Sequence, residues 1–103
     1  MDTLKICLIN LQNKVFKLLP MREAMDKGED VHLLEYHENL LASVSGAFEC
    51  YQELSVIEEI VEVRNNIAFL RANPDVEFKR WRTIVLRSTR LVHTVITRKS
   101  QEE

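Results

Sequence analysis

The sequence has little glycine, proline or cysteine, with two of each among its 103 residues. Hairpin turns use glycine and proline at almost every corner, so this scarcity excludes a turn-rich all-β fold. A small secreted domain held by disulfides needs more cysteines than two. Long apolar runs are also missing, because polar residues interrupt the apolar stretch 4–19, and neither a membrane span nor a secretory signal is predicted. We therefore expect a cytoplasmic protein.

No charge of one sign dominates the sequence. The 14 Lys and Arg residues against 16 Asp and Glu residues leave a formal net charge of -2. Such a balance provides no whole-molecule field that would attract a polyanionic partner. With 46% hydrophobic and 29% charged residues, the chain has the composition of a folded soluble protein, and its length predicts a single domain over residues 1–103.

Apolar residues recur at helical spacing through nearly the whole chain. The pattern predicts an all-α fold, and short connections favour an antiparallel up-down four-helix bundle, with a flatter three-plus-one packing as the alternative. The predicted helices span about 3–27, 30–53, 55–72 and 74–98, followed by a polar tail at 99–103. Pro20 predicts a kink in the first helix. The i,i+4 pairs Arg22/Asp26 and Glu23/Lys27 predict that the helix resumes after the proline.

Glycine, proline and helix-capping residues predict where the helices end and begin. Gly28 predicts the stop of the first helix, and Asp30 is suited to cap the start of the second. The segment 55–58 has the spacing of a capping box for the third helix. Asn73 followed by a proline predicts the cap and first residue of the fourth. Gly46, inside the second helix, predicts either a close contact with another helix or a bend.

The sequence contains no arrangement of residues typical of catalysis, such as a glycine-rich phosphate loop, a nucleophile elbow or a Walker pattern. Glu29 and His32 have an ExxH spacing, but a di-metal site in a bundle needs that motif twice. We therefore expect a protein that is not an enzyme and has no metal or other cofactor. If the first two helices form an antiparallel hairpin that turns near Gly28, Cys7 and Cys50 lie opposite each other, at the same height along the two helix axes. They are then either two buried apolar thiols or a pair able to form a disulfide under oxidation.

The last predicted helix carries the strongest charge signal. Its basic residues lie opposite Trp81, which is interpreted either as a core residue or as a binding anchor. Arginine and lysine in such a stripe are suited to a phosphate backbone or an acidic partner. The candidate face comprises Lys79, Arg80, Arg87, Arg90 and Arg98. In the alternative interpretation, Glu58, Glu59 and Glu62 of the preceding helix neutralise Arg87 and Arg90.

The first helix is apolar around more than half of its circumference, which exceeds what the central seam of a small bundle buries. This surplus predicts a homo-oligomer, most simply a C2 homodimer. The candidate interface comprises Ile6, Ile9, Phe16 and Leu19. The predicted function is that of a non-enzymatic protein–protein interaction module, such as a small adaptor, chaperone, immunity or regulatory protein. A nucleic-acid-binding accessory protein that uses the basic face of the last helix is the alternative.

Overall fold

The computed structural model describes residues 3–102, which form helices joined by short connections. The helices are α1 (Thr3–Phe16), α2 (Leu18–Asp26), α3 (Leu33–Cys50), a 3₁₀ turn (Gln52–Val56), α4 (Glu58–Ala72) and α5 (Phe78–Gln101). The described part of the chain contains no β-strand, which confirms the all-α prediction. No helix within it has the length and apolarity that crossing a membrane requires.

The core lies between α5 and its neighbours. Helix α5 packs against α1 on one side and α4 on the other, and α3 contacts both α4 and α1. The core side chains recur at helical spacing, as the sequence predicts. They include Leu4, Leu8, Leu11 and Val15 of α1, Leu40 and Val44 of α3, Ile60, Val63 and Ile67 of α4, and Trp81, Val85 and Val92 of α5. Trp81 is fully buried, and its indole N–H donates to the Leu18 carbonyl at 3.1 Å. This tryptophan is therefore a core residue.

The first predicted helix is divided at Lys17 into α1 and α2. Pro20 has no N–H to donate to the Phe16 carbonyl, four residues earlier, so one helical hydrogen bond is missing at this point. Helical bonding continues on either side of the gap. The Lys17 N–H donates to the Asn13 carbonyl and the Met21 N–H to the Lys17 carbonyl, each at 3.2 Å. The interruption therefore lies three residues before the proline.

Gly28 ends α2 as the sequence predicts. Its φ of +89° lies in the left-handed region, which glycine adopts without steric cost. The Gly28 N–H donates to the Met25 carbonyl at 2.9 Å, and the Glu29 N–H donates to the Ala24 carbonyl at 3.0 Å. These two bonds form a Schellman motif, which satisfies carbonyls that the helix end leaves free.

Helices α3 and α4 begin later than predicted. Asp30 does not cap α3; His32 precedes its first residue and adopts a left-handed conformation with φ 51°. The capping box predicted at 55–58 is also wrong, because the Ser55 hydroxyl donates to the Gln52 carbonyl at 2.7 Å inside the 3₁₀ turn. Helix α4 begins at Glu58. Ile57 occupies its N-cap position, and no side chain there caps the helix.

Helix α5 begins at Phe78, four residues beyond the predicted start at Pro74. Asn73 does not cap α5. Its side-chain amide donates to the Phe69 carbonyl at 2.9 Å and closes the end of α4. A helix boundary therefore lies at Asn73–Pro74, but the Asn73 side chain caps the end of α4 and not the start of α5.

Gly46 lies inside the unbroken helix α3. A Cβ atom built at this glycine meets no heavy atom within 4 Å outside the backbone of its own helix. The close helix contact considered for Gly46 is therefore not formed.

Candidate interaction surfaces

The basic face of α5 is partly neutralised by acids of α4. The Arg87 guanidinium pairs with the Glu62 carboxylate, with Nη2 to Oε1 at 3.1 Å, and the Arg98 guanidinium pairs with Glu59. The side-chain hydrogen bond from Arg98 lowers the pKa of Glu59, and that from Arg87 lowers the pKa of Glu62. Two of the five predicted face residues are therefore engaged within the fold.

Two further cations of α5 are also held by neighbouring elements. Lys99 Nζ lies 3.2 Å from Glu53 Oε2, and the Arg80 guanidinium lies 4.9 Å from the centre of the Phe69 ring. Between residues 3 and 102, four cations of α5 have no ion-pair partner, namely Lys79, Arg80, Arg82 and Arg90, and of these Arg80 lies over the Phe69 ring. What is left of the basic stripe is a group of four cations, one of which lies over an aromatic ring.

The outer face of α1 carries exposed large apolar side chains. Ile6 is 41% exposed, Ile9 36% and Phe16 46%. At 100° per residue these three side chains lie within an arc of roughly 80°, on one stripe. Leu19, the fourth residue of the predicted interface, is buried in the core of its own chain, so it is not part of this surface.

The same face of α1 carries no charge. The residues on it are Thr3, Ile6, Ile9, Asn10, Asn13 and Phe16, and α1 contains no Asp or Glu. The lysines of α1, Lys5 and Lys14, lie outside this arc. The outer faces of helices normally carry charged residues. An uncharged stripe with three exposed apolar side chains therefore sets α1 apart; we call it the α1 stripe.

A cavity of about 450 Å³ lies between the α2–α3 connection and the end of α4. Its apolar walls include Met25, Leu33 and Pro74, and its polar rim includes Glu29, Asp30, His32, Glu35 and Arg71. His37 lines it and is only 2% exposed; its Nε2 atom has no hydrogen-bond partner. The ring of His37 meets Trp81 edge-on, with 5.5 Å between the ring centres.

The His37 imidazole is neutral at pH 7. Burial lowers its pKa to about 4, and the positive charge of Arg71 acts in the same direction. The predicted ExxH pair, Glu29 and His32, lines the same cavity. Across residues 3–102, however, no three His, Cys, Asp or Glu side chains are grouped so that they could hold a metal ion.

Stability is expected to fall as the pH is lowered through the range in which His37 titrates. The folded pKa of about 4 lies below the ordinary 6.5, so between these values the unfolded chain binds a proton that the folded chain does not. The contribution is complete above pH 6.5 and is lost as the pH falls toward 4. We expect about 2 kcal/mol less unfolding free energy at pH 5 than at pH 7, measured by urea denaturation.

The controls for this pH dependence are two histidine substitutions. His37→Leu should flatten the decline between pH 7 and pH 5, whereas His93→Leu, at an exposed position of α5, should leave it unchanged. Glu59 and Glu62 titrate below this range because their pKa values are lowered. An equally steep decline in His37→Leu would contradict the assignment to His37.

Arg22 is a buried side chain whose full set of contacts the sequence does not reveal. The predicted pair is confirmed, with Arg22 Nε 3.0 Å from Asp26 Oδ1, but Glu23 and Lys27 form no ion pair in the described chain. Arg22 is also buried; it donates to the carbonyls of Pro74 at 3.3 Å and Val76 at 2.7 Å, and its guanidinium lies 4.9 Å from the Trp81 ring centre. Its burial could have been predicted from its position four residues after Leu18, which places both side chains on the same helix face.

Comparisons with protein-family models, with curated proteins and with solved structures find no match to this chain. A functional conclusion therefore has to come from the surfaces described above.

Proposed function

We propose that this protein is a non-enzymatic helical protein–protein interaction module that self-associates as a homodimer through the α1 stripe. The observation that carries the proposal is the exposure of Ile6, Ile9 and Phe16 on a helix face without charge. Contiguous apolar surface on a helix gains free energy when another protein surface covers it. Each of the three side chains keeps between 36% and 46% of its surface in contact with water in the single chain.

A second copy of the chain is the partner that the charge pattern favours. A two-fold axis brings the same surface patch of both subunits together, so a charge near the axis meets the same charge of the other copy. Within α1 the stripe has no such charge, and the exposed Lys17 that follows it lies over the Tyr36 ring of α3, 5.5 Å from the ring centre, so self-contact brings little like-charge repulsion there. Among residues 3–102 the other exposed large apolar residues, Leu34 and Val56, lie on separate elements.

The finer arrangement of the helices is part of this proposal. We propose an antiparallel up-down order of the helices. Its support is that Glu59, near the start of α4, pairs with Arg98, near the end of α5. The interruption at Lys17 supports a change of helix direction before Pro20. We also propose a cytoplasmic location, because both cysteines are free thiols.

Disruption of the α1 stripe is expected to convert dimer to monomer. Wild-type protein at micromolar concentration should elute as a dimer in size-exclusion chromatography with light scattering, twice the chain mass of 12.1 kDa. Phe16→Glu places a negative charge on the α1 stripe of both copies, where the two charges would repel each other, and should therefore give the monomer mass. Val56→Glu is the matched control, because it places the same charge on an exposed apolar residue outside α1 and should leave the dimer intact.

A wild-type chain that remains a monomer at every micromolar concentration would overturn the proposed self-association. Dimer loss in Val56→Glu as well as in Phe16→Glu would place the interface elsewhere. Circular dichroism of each variant establishes that the helices are retained, so that a monomer is distinguished from an unfolded chain.

The alternative function, nucleic-acid binding, rests on the α5 cations that have no ion-pair partner in the described chain, namely Lys79, Arg80, Arg82 and Arg90. The same preparations are titrated with short duplex and single-stranded DNA at low salt. Affinity that falls steeply with salt and is lost in Arg90→Glu would establish this alternative. Absence of binding at low salt would exclude it.

A further inference from the structure

Cys7 and Cys50 belong to the two helices that form a groove on the surface of the protein. Cys7 lines a cavity of about 310 Å³, together with Lys14 of α1 and with Ser43 and Ala47 of α3. Cys50 is the last residue of α3 and lies almost one turn beyond Ala47. Cys50 is exposed, Cys7 is partly buried, and both are free thiols.

A side-chain contact sets the register of α1 against α3. Lys14 Nζ lies 3.5 Å from Ser43 Oγ. Seven residues back along α1 from this contact lies Cys7, and seven residues forward along α3 lies Cys50. Seven residues are close to two helical turns, so each cysteine returns to the face that makes the contact. Ala47, four residues beyond Ser43, shares the cavity with Cys7, so α3 runs toward the N-terminal end of α1.

Helices α1 and α3 pack against each other. Some residues of α1 have their Cα atoms within 8 Å of Cα atoms of α3, and a disulfide requires roughly 4.4–6.8 Å between the Cα atoms of its two cysteines. The pKa of the Cys7 thiol is raised by burial first and by the charge of Cys50 second, while Lys14 opposes both effects. This influence of Cys50 on Cys7 agrees with the register of α1 against α3, which places both cysteines toward the same end of the groove.

We propose that Cys7 and Cys50 are a thiol modification site, where a reversible intramolecular disulfide ties α1 to the end of α3. The oxidant is a small disulfide such as oxidised glutathione. The exposed Cys50 thiolate attacks one sulfur of the oxidant, and one glutathione thiolate leaves. Cys7 then loses its proton to solvent and attacks Cys50 Sγ, and the second glutathione thiolate leaves. Two protein thiols are oxidised, one small disulfide is reduced to two thiols, and the released protons protonate the leaving thiolates.

This disulfide closes a loop that includes the Lys17 interruption and the α2–α3 connection. A cross-link of this span restricts the unfolded chain much more than the folded one. We expect the oxidised protein to have a thermal midpoint about 10 °C above that of the reduced protein.

The experiment exposes the full chain to oxidised glutathione and follows its intact mass and its tryptic peptides. Wild-type protein should lose the mass of two hydrogen atoms, keep no glutathione and yield a peptide pair linked through Cys7 and Cys50. Cys7→Ser should stop at a stable glutathione adduct on Cys50, because no second thiol displaces it. Cys50→Ser should react far more slowly, because its remaining thiol is partly buried.

A wild-type chain that accumulates the Cys50 glutathione adduct, or links two chains through Cys50, without the internal bond would overturn the proposal. The decisive readout needs no substitution, so poor folding of a variant cannot obscure it. Repeating the oxidation with Phe16→Glu separates this inference from the proposed function, since the internal disulfide should form equally in a monomer.

Discussion

Trp81→Ala is expected to lower the unfolding free energy by about 4 kcal/mol. Trp81 is fully buried between α5 and α2, so alanine leaves a cavity in the centre of the core. The substitution also removes the indole N–H that the Leu18 carbonyl accepts, the edge contact with His37 and the surface on which Arg22 lies. Urea denaturation followed by circular dichroism measures the change.

Trp81→Phe is the control that separates ring volume from the hydrogen bond. Phenylalanine fills most of the cavity but leaves the Leu18 carbonyl without its donor, so a loss of about 1–2 kcal/mol is expected. A Trp81→Ala variant within 1 kcal/mol of wild type would contradict the buried position of this side chain. Equal effects of alanine and phenylalanine would indicate that the hydrogen bond, and not the packing, dominates.

Arg22→Met is expected to lower the unfolding free energy by about 3 kcal/mol. Methionine keeps an apolar stem in the core but removes the guanidinium that donates to the carbonyls of Pro74 and Val76. These hydrogen bonds from Arg22 hold the loop that precedes α5, so without them the first turn of α5 should open more readily. Urea denaturation gives the global loss, and hydrogen exchange at Phe78 and the following amides shows its local origin.

The matched control for Arg22 is its acidic partner. Asp26 is partly exposed, so Asp26→Asn should cost less than 1 kcal/mol and leave exchange at the start of α5 unchanged. Arg22→Lys should restore little, because an ammonium group cannot donate to two carbonyls and a carboxylate in the geometry of a guanidinium. Full stability in Arg22→Lys would show that charge alone is sufficient at this position.

The helices and their core faces could be predicted because burial imposes a period on the sequence. Leu4, Leu8, Leu11 and Val15 follow that period, and the structure buries all four. Gly28 could be predicted as well, because a left-handed residue at a helix end is strongly selective for glycine. The neutralisation of Arg87 could also be foreseen as an alternative, since Glu62 lies on the preceding helix.

The start of α5 could not be predicted, because a contact from a distant part of the chain decides it. Asn73 is a good cap for α5 in isolation, but Arg22 binds the carbonyls of Pro74 and Val76 and holds them outside the helix. The burial of Leu19 also depends on tertiary contacts, since a wide apolar arc does not show which part faces the core. Of the predicted interface, the exposed part is Ile6, Ile9 and Phe16.

The open space beside Gly46 has a consequence for mutational work on this protein. A methyl group fits there without collision, and alanine is about 1 kcal/mol more favourable than glycine inside a helix. Gly46→Ala is therefore a suitable stabilised background, in which variants of Trp81 and Arg22 retain enough native population for their unfolding curves to be fitted. The same spare room indicates that α3 tolerates sequence drift on this side, so related chains are expected to differ at position 46 sooner than at its buried neighbours.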